Sequence, residues 1–275
     1  MPELPDVEFV KRRLARALVG ATITRAECSD RRILRPTTPN AFRRALIHHA
    51  VREVNRRGKW VRVVLDDETR LFSHLGMTGW WIDVKVDAPQ ETAERARLDV
   101  VRSGRARSLR YLDSRRFGRL LIAKRDIADW TGLGPDPLSD GLDPAVLAAA
   151  LARSRRPVKD AIMDQSILAG IGNIIATEGL FHARIDPRTP SDALSSTDVE
   201  KIVRGLDKTI GKQLAVRLGS KRDDWHERFA VYGRSGEPCS RCKTPIEHIV
   251  IGGRTSAFCP KCQAAQRGRR RTSPT

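Results

Sequence analysis

The chain has 275 residues, a formal net charge of +18 and a hydrophobic content of 40%. This length suffices for one large or two ordinary domains, and the composition predicts that most of the chain is ordered. No apolar run approaches the ~18 residues that a membrane-spanning helix needs. The acidic N-terminus lacks the basic start of a signal peptide, which predicts a cytoplasmic protein with no membrane partner.

The first helix is predicted after Pro5 and Asp6, with an apolar stripe of Val7, Val10, Leu14 and Leu18. Short β-type runs follow it, with one helix between them that Thr38 caps and Pro39 begins. The predicted strands cover residues 21–28, 51–55, 60–65, 70–75, 79–84, 98–102, 107–112 and 119–123. This part of the chain therefore reads as mainly β.

The texture changes at residues 132–137, where Gly and Pro predict a linker. Helical patterns then cover residues 144–152, 158–164, 174–181 and 198–218. The sequence thus predicts an α+β protein: a β-sandwich-like N-terminal domain with flanking helices, a helical domain and a cysteine hairpin. The expected bounds are 1–133, 134–228 and 229–266, followed by a basic, disordered tail at 267–275.

Basic residues cluster along the chain. Residues 43–62 hold seven basic side chains against one acid, Glu53, and residues 102–125 hold nine against Asp113. Such a surplus favours a polyanionic partner, either nucleic acid or an anionic membrane surface. A basic protein from an arginine-rich proteome is the alternative, and we favour nucleic acid.

Four of the five cysteines form the pattern C-x2-C-x16-C-x2-C: Cys239, Cys242, Cys259 and Cys262. Two close pairs at this separation suit one tetrahedral, structural zinc ion. Two disulfides are the alternative, but they require an oxidising compartment. The fifth cysteine, Cys28, is expected to be a small buried hydrophobic residue.

Several short motifs occur in order along the chain. They are Pro2-Glu3-Leu4-Pro5, Arg57-Gly58-Lys59, His74-Leu75-Gly76-Met77, Asp113-Ser114-Arg115-Arg116-Phe117-Gly118, Gly170-Ile171-Gly172-Asn173 and Val231-Tyr232-Gly233-Arg234. Together with the cysteine hairpin, they make the chain resemble the formamidopyrimidine-DNA glycosylase and endonuclease VIII family, with the formamidopyrimidine branch favoured. The resemblance runs from Met1 to Gln263. It implies that the helical domain is a helix–two-turn–helix module.

Pro2 carries a secondary α-amine once Met1 is removed, and a free α-amine titrates near pH 8. Such an amine can attack the C1′ carbon of a damaged nucleotide and form a Schiff base. Glu3, next in the chain, can donate or shuttle a proton. The resemblance adds Lys59 for proton transfer in β-elimination and Arg254 for phosphate contact and δ-elimination.

The resemblance also implies the DNA contacts. A base that is flipped out of the duplex leaves a gap, which the family fills with side chains that correspond here to Met77, Arg115 and Phe117. Phosphate contacts are expected from four further residues: Arg95, Arg116, Lys159 and Asn173. Glu178 is expected to face the same region as Asn173, with an ordinary helix-surface acid as the alternative.

Two features depart from the family pattern. Residues 219–230 form an interval that is short for the flexible loop that covers 8-oxoguanine in the formamidopyrimidine branch. Ring-opened purines, hydantoins and oxidised pyrimidines therefore stay open as substrates. Arg95 and Arg97 stand where the family often has phosphate-binding histidines, and arginine keeps the charge without the pH response.

The sequence thus predicts a monomeric, bifunctional DNA glycosylase and abasic-site lyase that acts on damaged double-stranded DNA in base excision repair. It would be cytoplasmic and associated with the nucleoid through DNA. A non-catalytic binder of damaged or abasic DNA on the same scaffold is the chief alternative, since retained Met1 would block the amine. A zinc-ribbon protein that binds RNA or the ribosome is a more distant one.

Overall fold

A computed structural model describes residues 2–219 and 228–264. The chain divides into two compact units, Met1–Gly132 and Leu133–Thr275. This boundary lies one residue before the predicted end of the first domain. The further division into a helical domain and a zinc hairpin stays a prediction, and the predicted tail at 267–275 lies outside the described residues.

The first unit contains four helices and eight strands among its described residues. The helices are α1 (Leu4–Leu18), α2 (Arg31–Leu34), α3 (Pro39–Leu46) and α4 (Ala128–Thr131). The strands are β1 (Thr22–Cys28), β2 (Val51–Arg57), β3 (Trp60–Leu65), β4 (Arg70–His74), β5 (Trp80–Val84), β6 (Glu94–Arg102), β7 (Arg105–Leu112) and β8 (Arg119–Ala123).

These strands form two antiparallel four-stranded sheets, in the orders β1-β6-β7-β5 and β2-β3-β4-β8. One hydrophobic core holds side chains from both sheets and from α1, among them Val7, Val63, Leu98 and Leu109. The observed arrangement is the predicted sandwich of two sheets with flanking helices. Cys28 belongs to this core, and burial raises the pKa of its thiol to about 11.

The second sheet is covered on its other face as well. Phe72 of β4 packs edge-on against Trp130 of α4, with ring centroids 5.7 Å apart. The Arg62 guanidinium lies 4.8 Å from the Trp130 ring. This cover explains why β3 is buried along most of its length rather than at alternate positions.

The second unit contains helices α5 (Pro144–Leu151), α6 (Val158–Ile162), α7 (Asn173–Ala183) and α8 (Ser196–Gly219). A 3-10 turn at Ser191–Ala193 precedes α8, and strands β9 (Glu247–Ile251) and β10 (Arg254–Phe258) form an antiparallel hairpin. None of the helices that the structure describes in either unit is both long and apolar enough to cross a membrane.

Candidate active site and DNA interface

Three of the sequence motifs lie at one end of the sheet β2-β3-β4-β8. His74, the last residue of β4, pairs with Trp60 of β3 and with Arg119 of β8. The Gly58-Lys59 turn, the loop at 75–79 and the loop at 113–118 therefore leave the sheet at the same end. The fold thus gathers Lys59, Met77 and Phe117 from three separate strand connections.

Helix α1 begins with Pro2 and Glu3 directly before it. Glu3 is the N-cap residue, and its backbone N–H donates to the Asp6 carboxylate at 2.8 Å. The Glu3 residue is only 2% exposed, and Pro2 is half-buried. The burial of this carboxyl beside the expected nucleophile fits the role of a proton donor and does not fit an ordinary surface acid. Met1 lies outside the described residues, so its removal stays a prediction.

A buried ion pair ties α1 to the Lys59 turn. Arg56 of β2 donates from Nε to Glu8 of α1 at 3.0 Å and from Nη1 to the Gly58 carbonyl at 3.1 Å. Burial raises the pKa of Glu8, but its hydrogen bonds with Arg12 and Arg56 more than offset this, and the net shift is downward. The sequence interpretation missed this pair, because two charges 48 residues apart carry no local pattern.

His74 is a second residue that sequence reasoning passed over. Its Nδ1 accepts the Gly76 N–H at 3.1 Å, which fixes the start of the loop that carries Met77. Burial, together with the positive charges of Lys59 and Arg119, lowers the pKa of His74 to about 4. The imidazole is therefore neutral at pH 7 and free to accept that hydrogen bond.

We expect this histidine to make the protein acid-sensitive between pH 6.5 and pH 4. The pKa of His74 is lower in the folded state than its ordinary value of 6.5, so unfolding takes up a proton. The stability it contributes is complete above pH 6.5 and is lost as the pH falls towards 4, by up to about 3 kcal/mol. Urea denaturation across this range should show a shallower pH dependence for His74→Gln, and an equal dependence would contradict the assignment.

The side chains expected to fill the gap in DNA are exposed. Met77 is 38% exposed and Phe117 is 53% exposed, which is unusual for large apolar residues. The Arg115 guanidinium lies 4.9 Å from the centre of the Phe117 ring. The two loops touch, because a Cβ placed on Gly76 would overlap the Phe117 carbonyl group. The structure therefore brings all three predicted wedge residues to adjoining loops.

The arginines expected on phosphate also make contacts within the protein. Arg116 has φ of +58° and an ion pair with Asp30 at 3.2 Å. Arg95 donates from Nε to the Asp113 carbonyl at 3.0 Å, and Arg97 pairs with Asp99 at 2.8 Å. Arg95 thus supports the loop at 113–118, and its phosphate contact stays a prediction.

In the second unit, the Gly170–Asn173 motif ends a compact turn and begins α7. Gln165 organises the turn: its Oε1 accepts the Gly170 N–H and its Nε2 donates to the Ile171 carbonyl, both at 2.9 Å. Gly172 is the N-cap residue, and Asn173 is the first residue of the helix. A helix N-terminus at this position suits a phosphate group.

Lys159, which was expected to add a phosphate contact, is a buried residue. The residue is 1% exposed, and its ammonium donates to Asn173 Oδ1 at 2.5 Å and to Ser256 Oγ at 2.6 Å. Asn173 in turn donates from Nδ2 to the Thr255 carbonyl at 3.0 Å. The Lys159 ammonium therefore joins α6 to α7 and β10, and its hydrogen bond orients the Asn173 side chain.

The four cysteines meet at one point. Their sulfur atoms all lie within 4.8 Å of one another, with Sγ–Sγ distances of 3.9 Å for Cys239–Cys262 and 3.4 Å for Cys242–Cys259. Tetrahedral zinc with Zn–S bonds of about 2.3 Å requires sulfur atoms roughly 3.8 Å apart. The donor set thus fits one zinc ion. The hairpin tip at Gly252-Gly253 leads directly to Arg254, the exposed first residue of β10.

Comparison with known proteins identifies the family to which this chain belongs. Family models match residues 1–120 as a formamidopyrimidine-DNA glycosylase N-terminal domain, residues 133–224 as the H2TH domain of that glycosylase and residues 236–265 as a zinc finger found in FPG and IleRS. The formamidopyrimidine-DNA glycosylase of Geobacillus kaustophilus is 37% identical, covering 96% of this chain and 100% of the relative. The chain belongs to the formamidopyrimidine-DNA glycosylase family.

Other relatives agree. The Moorella thermoacetica formamidopyrimidine-DNA glycosylase is 40% identical over 90% of this chain and 94% of its own. A MutM structure with DNA containing carbocyclic 8-oxo-G has a TM-score of 0.86 at 30% identity, covering 96% of this chain and 100% of that one. The Lactococcus lactis protein with Fapy-dG DNA has a TM-score of 0.86 at 29% identity, covering 95% and 100%.

Membership in the formamidopyrimidine-DNA glycosylase family confirms several expectations. The family consists of bifunctional glycosylases with abasic-site lyase activity in base excision repair. The α+β fold and the structural zinc site at the four cysteines are confirmed. The short interval at 219–230 is not settled, because residues 220–227 lie outside the described residues.

The zinc site supports the expected DNA contacts of this family member. We expect Cys242→Ser to lose zinc and most DNA affinity together, because β10 carries Arg254 and holds Asn173 through Thr255. Cys28→Ala, which changes a cysteine outside the zinc site, is the control and should keep one zinc per chain. Metal analysis would measure the zinc content and titration with duplex DNA would measure the affinity. Unchanged DNA binding in the metal-free variant would show that zinc does not hold the hairpin in its DNA-binding conformation.

Glu178 of α7 is a structural anchor in this family member. Its carboxylate accepts the backbone N–H groups of Ala230, Val231 and Tyr232, at 2.7, 2.8 and 2.9 Å. The side chain is buried, so the alternative of an ordinary helix-surface acid is wrong. Val231 belongs with Phe181 and the zinc cysteines to one small hydrophobic core. Glu178 therefore fixes the segment that leads into the zinc hairpin.

Proposed function

We propose that this chain removes oxidised bases from duplex DNA and then cleaves the strand, with the Pro2 amine as its nucleophile. The observation that carries the proposal is the convergence of three motif loops at one end of one sheet, tied through Arg56 and Glu8 to the helix that begins after Pro2 and Glu3. The Glu3 carboxyl, buried beside the N-terminal residue, supports the enzyme over a non-catalytic binder because it lies where a proton donor is needed.

In the proposed reaction, the Pro2 nitrogen forms a bond to C1′ of the damaged nucleotide. The bond between C1′ and the base breaks, and the base leaves with a proton that Glu3 supplies or relays. Opening of the sugar ring gives an iminium ion between Pro2 and C1′. Loss of a C2′ proton then expels the 3′ phosphate by β-elimination, assisted by Lys59, and a δ-elimination releases the 5′ phosphate.

The remaining predicted residues hold the DNA. Met77, Arg115 and Phe117 fill the gap that the flipped nucleotide leaves, while Arg95, Arg116, Lys159, Asn173 and Arg254 serve the phosphate backbone. Lys159 acts here by orienting Asn173, since its ammonium is buried against that side chain. The zinc ion holds Arg254 at the tip of its hairpin and takes no part in the chemistry, because four protein ligands leave no open position.

Replacement of Phe117 tests the wedge. We expect Phe117→Ala to lower excision from duplex substrates by roughly 10- to 100-fold, because stacking on a base contributes about 1–3 kcal/mol. Trapping on a single-stranded abasic oligonucleotide should change little, since no stack needs filling there. Val101→Ala removes an exposed apolar side chain elsewhere in the same unit and serves as control. Equal losses on both substrates would reject the wedge role of Phe117.

Ring-opened purines are the lesions that we propose to test first. Solved relatives include the Lactococcus lactis protein bound to Fapy-dG DNA and a MutM bound to DNA with carbocyclic 8-oxo-G. The interval at 219–230 is short for a base-covering loop, so we propose weaker action on 8-oxoguanine than on formamidopyrimidines. We also propose that the protein works as a monomer on chromosomal DNA in the cytoplasm.

Borohydride trapping tests the proposed function. The protein with a verified free Pro2 would be mixed with duplexes that carry an abasic site, 8-oxoguanine, a formamidopyrimidine or a hydantoin. A covalent adduct on the abasic duplex, mapped to Pro2 by mass spectrometry, is the expected result. The pattern across the base lesions gives the glycosylase specificity. An absence of adduct on every duplex would favour the non-catalytic lesion binder.

A further inference from the structure

One hydroxyl group joins the two loops that carry the wedge residues. Thr78, next to Met77, donates from Oγ1 to Asp113 Oδ1 at 2.5 Å. Thr78 Oγ1 also accepts the backbone N–H of Arg115 at 3.1 Å. Thr78 therefore links the Met77 loop to the loop of Arg115 and Phe117 by two hydrogen bonds, one of them to a carboxylate.

Asp113 is the partner that makes this link rigid. Asp113 is fully buried, and its second carboxylate oxygen, Oδ2, accepts the Gly118 N–H at 2.7 Å. The carboxylate thus closes the loop at 113–118 on itself while Thr78 occupies the other oxygen. A buried carboxylate without donors would be costly, and the hydrogen bonds from Thr78 and Gly118 offset the desolvation of Asp113.

The surrounding backbone leaves little room for the loops to separate or slide. Gly76 has φ of +61° and lies against the Phe117 carbonyl, while Gly79 and Gly118 lie against the Tyr111 hydroxyl. A side chain at any of these three glycines would overlap its neighbour. Arg116, between the wedge residues, also adopts the left-handed region, at φ of +58°. Such a conformation persists where surrounding contacts hold it.

We propose that Thr78 is a positioning residue that couples the two loops, so that Met77, Arg115 and Phe117 enter the duplex as one preassembled wedge. The coupling matters because a wedge that is already ordered has less conformational entropy to lose on insertion. Separate loops would have to be ordered against each other at the moment when the base leaves the stack. This inference rests on the proposed function, in which these three side chains fill the gap.

Thr78→Val tests the inference, because it removes the hydroxyl and keeps the branched shape. We expect duplex excision to fall by at least about tenfold, because the variant loses two hydrogen bonds and the charge-assisted one alone corresponds to that factor. The rate at which the wedge inserts, monitored by the fluorescence of 2-aminopurine beside the lesion, should fall by a similar factor. Borohydride trapping on a single-stranded abasic oligonucleotide should be unchanged. Thr78→Ser, which restores the hydroxyl, should recover both duplex rates.

Thr69→Val is the matched control, since Thr69 Oγ1 donates to Asp67 Oδ2 at 2.8 Å in a turn of the same unit. It should lose a similar hydrogen bond without slowing insertion. The pair Thr78→Val and Phe117→Ala should be less than additive if Thr78 acts through the wedge.

The outcomes separate the two levels of the proposal. Normal insertion by Thr78→Val beside a slow Phe117→Ala would overturn the coupling and leave the wedge role standing. Failure of Thr78→Ser to rescue, or fully additive losses in the double variant, would likewise overturn the coupling. If both Thr78→Val and Phe117→Ala kept their preference for duplex substrates, the wedge role itself would be rejected.

Discussion

A chain whose Pro2 amine is blocked should give no borohydride-trapped adduct and no lyase product above an enzyme-free control. The proposed chemistry needs a lone pair on the Pro2 nitrogen, and an amide nitrogen has none to offer. A free α-amine titrates near pH 8, so a useful fraction is unprotonated at neutral pH. The effect is expected to be complete, because Pro2 is the only nucleophile in the proposed reaction and Lys59 serves there in proton transfer.

The test uses one polypeptide before and after proteolysis. A removable leader blocks Pro2, and its cleavage exposes the amine without any substitution. Binding to an abasic-site duplex should be similar before and after cleavage if the leader leaves the phosphate contacts intact. Pro2→Gly keeps an amine and should retain part of the lyase activity. Equal lyase activity in the blocked and the cleaved chain would show that another group is the nucleophile.

The strands of the first unit were largely predictable, because apolar positions and turn residues mark them locally. Strand β6 is the exception: it begins at Glu94, whereas hydropathy placed its start at Leu98. Glu94 is buried in an ion pair with Arg110 of β7 at 3.2 Å. A charged residue at the start of a strand looks like a loop residue until its partner strand is known. The helices α2 and α4 were missed, since each has only four residues.

The motifs placed the expected site residues, but they could not supply the contacts that hold them. Lys159 lies against Ser256, which is 97 residues away in the chain, and Thr78 lies against Asp113, 35 residues away. Each of these residue types is common at surfaces, and only the fold makes it a buried partner. Sequence patterns therefore indicated which side chains to expect at the DNA, but not which side chains position them.

Glu178→Ala should be the most destabilising single substitution among these positioning residues. It removes the carboxylate that accepts three backbone N–H groups, those of Ala230, Val231 and Tyr232. A buried donor without a partner costs about 1–3 kcal/mol. Because only the Val231 hydrogen bond is fully buried and the other two are partly buried, the total loss is expected to be roughly 3–6 kcal/mol rather than the ~9 kcal/mol upper limit for three buried donors. The loss should fall on the second unit, where Val231 packs in the small core beside the zinc cysteines.

Glu178→Gln separates the hydrogen bonds from general disruption of the helix. The amide oxygen can replace Oε1, which accepts two of the three N–H groups, but the NH2 group would face the remaining N–H. Its loss of stability should therefore lie between that of Glu178→Ala and zero. Glu200→Ala, which removes an exposed acid of α8 paired with Arg204 at 3.6 Å, is the control and should change stability little.

Denaturation monitored together with zinc release would measure these effects. We expect Glu178→Ala to release zinc at lower urea concentration than the unmodified protein, because the segment that enters the zinc hairpin loses its anchor. Its DNA affinity should fall in parallel, since Arg254 and the Asn173 contact to Thr255 depend on the same hairpin. If Glu178→Ala proved as stable as Glu200→Ala and kept its zinc, the three hydrogen bonds would not anchor the hairpin, and its position would have to depend on the metal and the small core alone.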